Sequence, residues 1–164
     1  MKLQSEQLTY LSEDPSTFLH FNLNVEVVTC FIEHQDTILV LKRSPKEDQP
    51  FTWAVPGGKI DTQLDADPKA ALIRELFEET GLQSNPDNLI LRTVRYGRIS
   101  RWDYKLYVFH LQLTSKPPIS LSEEHIEAMW VPIHQFTSLN LLKGQNETFS
   151  ILYDKMVHNH RKPY

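Results

Sequence analysis

The sequence is poor in cysteine. Cys30 is the only one, so no intrachain disulfide can form and a cysteine-only metal site is excluded. It lies in the apolar run "VEVVTCFI" and reads as a small buried hydrophobe. Long apolar runs are missing too. No segment approaches the roughly 20 apolar residues of a membrane span. The first twenty residues carry Glu6, Glu13 and Asp14 and lack the continuous apolar stretch of a signal peptide. Strong net charge is also absent: 21 acids against 17 bases give −4, which argues against a non-specific nucleic-acid binder. Local clusters still leave room for a phosphate-bearing ligand. No internal repeat or low-complexity tract interrupts the chain. The expectation is one domain over residues 1–164, with residues 1–20 as a peripheral arm or short helix. It is read as a cytoplasmic enzyme or binding module with no membrane or nucleic-acid polymer as partner. A homodimer is left open, and the sequon at Asn146 is read as without consequence.

What is present is a run of short elements in mixed order. Residues 24–33 and 37–44 are rich in β-branched and aliphatic residues and read as two strands joined by a turn at "HQD". Residues 51–60 start as a short strand that Pro56-Gly57-Gly58 ends. Asp67-Pro68 opens a helix, with Asp as N-cap and Pro at the first helical position, and Gly81 lies just past its end. Residues 88–100 and 104–114 read as paired strands around "RWD", residues 116–125 as a loop, and residues 126–133 as a strand stopped by Pro132. Phe149, Leu152, Tyr153, Met156 and Val157 recur at helical spacing, so residues 146–160 read as a closing amphipathic helix. This order predicts a mixed β-sheet with helices on its faces.

The helix "RELFEETGL" concentrates negative charge. At about 100° per residue, Glu78 and Glu79 fall about 60° and 40° to either side of Glu75, and all three glutamates share one sector. Ala70, Ile73, Leu76 and Phe77 fall on the other side, where a core would want them, while the small Ala71 falls inside the acidic sector. Like charges at these spacings repel, and they crowd the helix end where the dipole disfavours anions. A bound Mg²⁺ or Mn²⁺ reverses that balance, because hard divalent cations take carboxylate oxygens and tolerate substrate phosphates as co-ligands. Taken alone, an "ExxEE" sequence is more often a solvated face. Arg74 can hold a neighbouring carboxylate by a forked hydrogen bond. The upstream "PGGKI" supplies a turn whose backbone amides can approach a ligand.

The ordered string of strand, Gly-Gly turn, capped helix, Glu cluster and Gly-Leu resembles the signature of the Nudix hydrolase family (MutT-like), G-x5-E-x7-R-E-U-x-E-E-x-G-U, with U apolar. Gly58 matches its start, and Arg74, Glu75, Leu76, Glu78, Glu79, Gly81 and Leu82 match every defined position of its second half. One departure stands out. Fifteen residues separate Gly58 from Arg74 where the pattern has thirteen, and the place of the first signature Glu holds Ala66, flanked by Asp65 and Asp67.

The resemblance implies an α/β/α sandwich, a mixed β-sheet with helices on both faces. It also implies a Mg²⁺- or Mn²⁺-dependent pyrophosphohydrolase acting on a small-molecule nucleotide. Glu75, Glu78 and Glu79 would be metal ligands and Arg74 would orient them, with the Gly57-Gly58-Lys59 backbone completing the metal and phosphate site. The expected substrate is a nucleoside triphosphate cleaved to monophosphate and pyrophosphate. The alternatives are ADP-ribose or a nucleoside diphosphate sugar, or an impaired binding module on the same fold. A later acidic loop often supplies a base in this family, and Glu124 and Glu127 are equal candidates here, as base or as an extra metal ligand. His125 beside them reads as structural or solvent-facing, and the other histidines form no metal spacing. Arg92, Arg95, Arg98 and Arg101 alternate faces of a hairpin, and Arg98 is taken as a phosphate grip. Trp102 is the preferred group for stacking on a base, with Tyr104 and Phe51 behind it and Trp53 assigned to the core.

Overall fold

The computed structural model describes residues 11–159, with side chains to 154. Eight strands form one sheet: β1 (Leu11–Ser12), β2 (Leu23–His34), β3 (Thr37–Arg43), β4 (Trp53–Ala54), β5 (Gly57–Lys59), β6 (Ile90–Ile99), β7 (Trp102–Gln112) and β8 (His125–Pro132). The main path runs β1-β6-β7-β2-β3-β4, with β5 against β2 and β8 against β3. The central β2–β7 pair is parallel and the other pairs are antiparallel, so the sheet is mixed. Among the described residues, no helix is long and apolar enough to cross a membrane.

Helices α1 (Pro68–Thr80) and α2 (Gln145–Asn159) cover opposite faces. On one face Val28, Cys30, Ile32, Leu39 and Leu41 pack with Ala71, Leu72 and Leu76 of α1. On the other, Phe31, Ile38, Val40 and Val108 pack with Phe136 and with Phe149 and Tyr153 of α2. Alternation along β2 and β3 sends neighbouring residues to opposite faces, so the middle of each strand is mainly apolar and buried on both sides. Cys30 is fully buried, as expected of a small hydrophobe.

The geometry that builds the site is a fork. β2 pairs with β3 only at the hairpin end, at Glu33↔Ile38 and His34↔Thr37, through a turn in which Gln35 and Asp36 take φ of 43° and 58°. From there β3 turns to β8, and β5 occupies the edge of β2 that β3 has left, pairing Gly57, Gly58 and Lys59 with Thr29, Val28 and Val27. Here the sequence expectation is corrected. Pro56-Gly57-Gly58 does not end a strand; the glycines are the strand. A Cβ at Gly57 would lie 2.3 Å from the Val28 carbonyl oxygen, so only glycine fits this close approach.

Other boundaries agree within a residue or two, with two more differences. From Leu11 onward the N-terminal arm is tied down by β1 pairing with β6, while the part before residue 11 lies outside the described residues. A 3₁₀ turn over Ile133–Ser138 follows β8 and buries Phe136. The last residue expected in the closing helix, 160, also lies outside the described residues.

Candidate active site

Helix α1 is capped as its sequence dictates. The Asp67 side chain accepts the Ala70 N–H at 2.8 Å, Pro68 occupies the first turn, and Gly81 takes φ 74° at the end. The helix is rotated relative to the simple apolar-face reading. Ala71 is fully buried in the core and Phe77 is 55% exposed, the reverse of expectation. The acidic sector therefore turns towards β5 and the start of β8, and Glu79 is only 5% exposed.

Arg74 organises this face. Its Nε and Nη2 donate to the two oxygens of Asp65 at 2.9 and 2.8 Å, and Nη1 donates to Glu75 at 3.0 Å and Glu78 at 3.2 Å. Nη2 also donates to the Lys59 carbonyl at 3.2 Å. The inserted loop thus returns a carboxylate, Asp65, to the arginine, beside the position where the signature has its first Glu. The hydrogen bonds from Arg74 hold the Asp65 carboxyl below the usual range. Asp67, on the other side of Ala66, is used up as the helix cap.

The glutamates crowd against the glycine strand. Glu79 Oε2 accepts the Gly57 N–H at 3.0 Å. A Cβ on Gly58 would stand 2.3 Å from Glu75 Cδ, so Gly58 is the seat of that carboxylate. Burial pushes the Glu79 carboxyl up to about 8, the Gly57 amide opposes the rise, and the charges of Glu75 and Glu124 add to it. Burial also raises Glu75; Arg74 opposes this, and Glu78 and Glu124 reinforce it.

The two late acids diverge. β8 pairs regularly with β3 as far as Lys42↔Glu127, then an irregularity sets Arg43 opposite His125 instead of Ile126. Facing residues of an antiparallel pair share a side of the sheet. Glu127 therefore goes with Lys42, 3.8 Å away, whose amine lies over Trp53 on the α2 side. Glu124 and His125 go to the α1 side. Ligand atoms of Glu79, Glu124 and His125 all lie within 4.8 Å of one another. Of the two expectations for His125, structural or solvent-facing, the second is corrected: among the described residues its enclosed Nδ1 has no hydrogen-bond partner, and burial, then Arg43, pushes the ring down to about 4.

A cavity of about 370 Å³ lies on the α2 side of β2 and β7 and adjoins the acidic cluster through Lys59. Trp102, Tyr104, Gln49, Lys143 and Gln145 are among its lining residues. Gln49 and Phe51, in the loop before β4, take φ of 50° and 64°, and the Gln49 amide oxygen accepts the Lys143 N–H at 3.0 Å. Strain of this kind concentrates where a loop shapes a ligand site. Phe51 does not line the cavity, and neither does Arg98. The Arg98 guanidinium is bound by both oxygens of Asp103, at 2.5 and 3.0 Å, and covers Phe18. Arg95 is buried against Glu13, and Arg101 sits exposed in the turn after β6. The pocket residues Gln49, Lys143 and Gln145 carried no sequence signal, because nothing local brings residue 49 to residue 143. Arg43, whose charge acts on both Glu79 and His125, was missed for the same reason.

The donor set suits a hard divalent cation. Glu75, Glu79 and Glu124 repel one another, Glu79 is buried with a proton-seeking carboxyl, and the His125 ring beside them has an enclosed nitrogen that lacks a partner among the described residues. A family model described as the NUDIX domain matches residues 23–153. The chain belongs to the Nudix hydrolase family. A CTP pyrophosphohydrolase of Escherichia coli (strain K12) is 38% identical over 60 residues, 37% of this chain and 43% of that protein. The peroxisomal coenzyme A diphosphatase ndx-8 of Caenorhabditis elegans is 28% identical over 77% of this chain and 52% of its own length. The chain thus spans about half the length of the curated relatives it matches. The Nudix fold is shared with the MutT protein of Methanosarcina mazei Go1 (TM-score 0.66, 22% identity, 88% of this chain and all of that one). It is also shared with the Nudix domain of Shewanella oneidensis NrtR, solved with ADP ribose (TM-score 0.69, 17% identity, 87% and 93% covered).

Proposed function

We propose that this chain is a divalent-cation-dependent hydrolase of pyrophosphate bonds in nucleotides, acting on a nucleoside triphosphate to give the monophosphate and pyrophosphate. The observation that carries the reading is Glu79: a carboxylate 5% exposed, held on the Gly57 amide and facing Glu75 and Glu124. Such a group is unfavourable when empty and favourable beside Mg²⁺ or Mn²⁺. When bound, the ion neutralises phosphate charge and makes a nearby water more acidic.

The chain's own residues do the rest. Glu75, Glu78 and Glu79 hold the cation, and Arg74 and Asp65 fix their orientation. Lys59 and Arg43 neutralise the polyphosphate. Glu124 accepts the proton of the attacking water as its oxygen bonds to phosphorus, the P–O–P bridge breaks, and pyrophosphate leaves. The cavity is large enough for a nucleobase and ribose, and Trp102, one of its lining residues, is the group we assign to stacking on the base. Its 60% exposure leaves that ring face free for the purpose. The single enclosed thiol suits the reducing cytosol.

A second reading, cleavage of a nucleoside diphosphate joined to another group, is favoured by the coenzyme A diphosphatase likeness, which extends over more of this chain than the CTP pyrophosphohydrolase likeness does. One panel separates them: nucleoside triphosphates, ADP-ribose, nucleoside diphosphate sugars and coenzyme A, each with Mg²⁺ and with Mn²⁺, products identified by mass. Monophosphate plus pyrophosphate is expected, with kcat reduced at least about a hundredfold in Glu78→Gln and Glu79→Gln. Full turnover in Glu79→Gln, or no turnover of any compound, overturns the proposal.

A further inference from the structure

We propose that His125 is a ligand of the cation site, binding through a ring nitrogen beside Glu79 and Glu124, and that this nitrogen makes the site prefer Mn²⁺ or another first-row transition cation to Mg²⁺. The inference rests on the cation-dependent reading above and adds a residue that the glutamate signature does not contain.

Three observations converge on it. The ligand atoms of Glu79, Glu124 and His125 lie within 4.8 Å of one another, and ligands on opposite sides of a small divalent cation stand about 4 Å apart. His125 Nδ1 is enclosed and has no hydrogen-bond partner among the described residues. Leaving a buried polar atom unmatched costs stability, so a residue kept in this state calls for an occupant. The backbone also aims the ring. The irregularity between β3 and β8 brings His125 rather than Ile126 opposite Arg43, on the side of α1. Such bulges recur beside active sites, where they redirect a side chain. The loop just before is fixed by Ser44 N–H donating to the Glu124 carbonyl at 2.8 Å, so Glu124 and His125 reach the cluster together.

Selectivity follows from ligand chemistry. Mg²⁺ demands oxygen ligands in near-ideal octahedral geometry and sheds water reluctantly. Mn²⁺ stands with Mg²⁺ among oxygen-binding ions yet sits on the transition series that accepts imidazole, and later members bind imidazole more tightly. A site made only of glutamates gives Mn²⁺ little advantage; a nitrogen added to the carboxylates does.

Electron paramagnetic resonance on the full chain loaded with Mn²⁺ tests this without reference to turnover. Loss of the free Mn²⁺ signal measures binding, and Glu79→Gln shows that the ion sits at the cluster. Electron spin-echo modulation then detects nitrogen bonded to the ion. We expect ¹⁴N modulation that converts to a ¹⁵N pattern when only the histidines are ¹⁵N-labelled, and that disappears in His125→Ala. Mn²⁺ affinity in that variant is expected to fall at least about tenfold, comparable to loss of a supporting residue around a metal. Mg²⁺ affinity, read by competition, should change less than about threefold. Mn²⁺ bound in a Glu79-dependent way without histidine coupling overturns the assignment of His125 and leaves the hydrolase reading intact. Absence of Glu79-dependent Mn²⁺ uptake overturns both. If His125→Ala does not fold, the labelled wild-type chain still decides the point.

Discussion

Glu79 is the residue at which burial and charge conflict most sharply. Its carboxyl is pushed up to about 8, chiefly by burial, from an ordinary value of 4.5. Below pH 4.5 both folded and unfolded chains hold the proton, and above 8 neither does. Between these limits the folded state binds the extra proton, so the cation-free protein loses stability as pH rises. The slope for one group is at most about 1.4 kcal/mol per pH unit. Glu75 is shifted in the same direction, whereas Asp65 and Asp103 are shifted down and act oppositely at lower pH. The contribution of Glu79 is therefore isolated by difference. In chelator-treated protein unfolded by urea from pH 5 to pH 8, Glu79→Gln should become progressively more stable relative to wild type as pH rises. Parallel stability profiles would show that the carboxyl titrates as it does in water. Adding Mn²⁺ at pH 8 should stabilise wild type and do much less for the variant, since a ligand that binds only the folded state shifts the balance by mass action.

At the scale of single elements, what could be read from the sequence depended on how local the cause was. The start and end of α1 were legible because Asp67, Pro68 and Gly81 act within a turn of themselves. The packing of the same helix was not. Apolar spacing alone put Phe77 inward and Ala71 beside the acids, yet a face that must meet the glycine strand buries Glu79 and swings Phe77 out. Strand β5 escaped notice because three residues, two of them glycine, form a strand only when β2 offers an empty edge. The divergence of Glu124 and Glu127 to opposite faces was equally hidden, because it rests on a pairing irregularity across two strands far apart in sequence. The loop before α1 allows a test. Asp65 and Asp67 flank Ala66 and look interchangeable in sequence, but one grips Arg74 with two hydrogen bonds and the other caps the helix. Asp67→Ala is expected to lower unfolding free energy by about 1 kcal/mol with kcat/KM kept within a few-fold. Asp65→Ala should lower Mn²⁺ affinity and kcat/KM by about 10- to 100-fold, because Arg74 then loses the partner that orients Glu75 and Glu78. Denaturation midpoints and steady-state kinetics on the pair decide it, and equal effects would mean that the inserted loop supports only the fold.

Across the whole molecule, the two faces of the sheet divide the labour. The α1 face carries the acids, and the α2 face carries the cavity, with Gln145 and Thr148 of α2 in its wall. α2 is docked by an aromatic stack: Phe136 and Phe149 lie parallel with centroids 4.5 Å apart, Phe149 and Tyr153 follow at 4.7 Å, and Phe31 meets all three from the sheet. The Tyr153 hydroxyl donates to Glu33, which also lies 3.0 Å from His110 Nε2 and so ties the middle of the helix to the hairpin end of β2. Phe136 is fully buried at one end of this stack, so Phe136→Ala leaves a cavity rather than a solvated gap. The expected loss is about 3–5 kcal/mol, large but within the stability of an ordinary domain. Its functional consequence should be one-sided. Loosened docking of α2 disturbs the cavity wall on one face of the sheet, while β5 and α1 hold Glu75 and Glu79 on the other. KM for the nucleotide should therefore rise severalfold at temperatures where the variant is folded, with kcat and Mn²⁺ affinity changed less than about threefold. A fall in kcat at unchanged KM would mean that the two faces are mechanically coupled through β2, and that α2 supports the acidic cluster rather than the cavity.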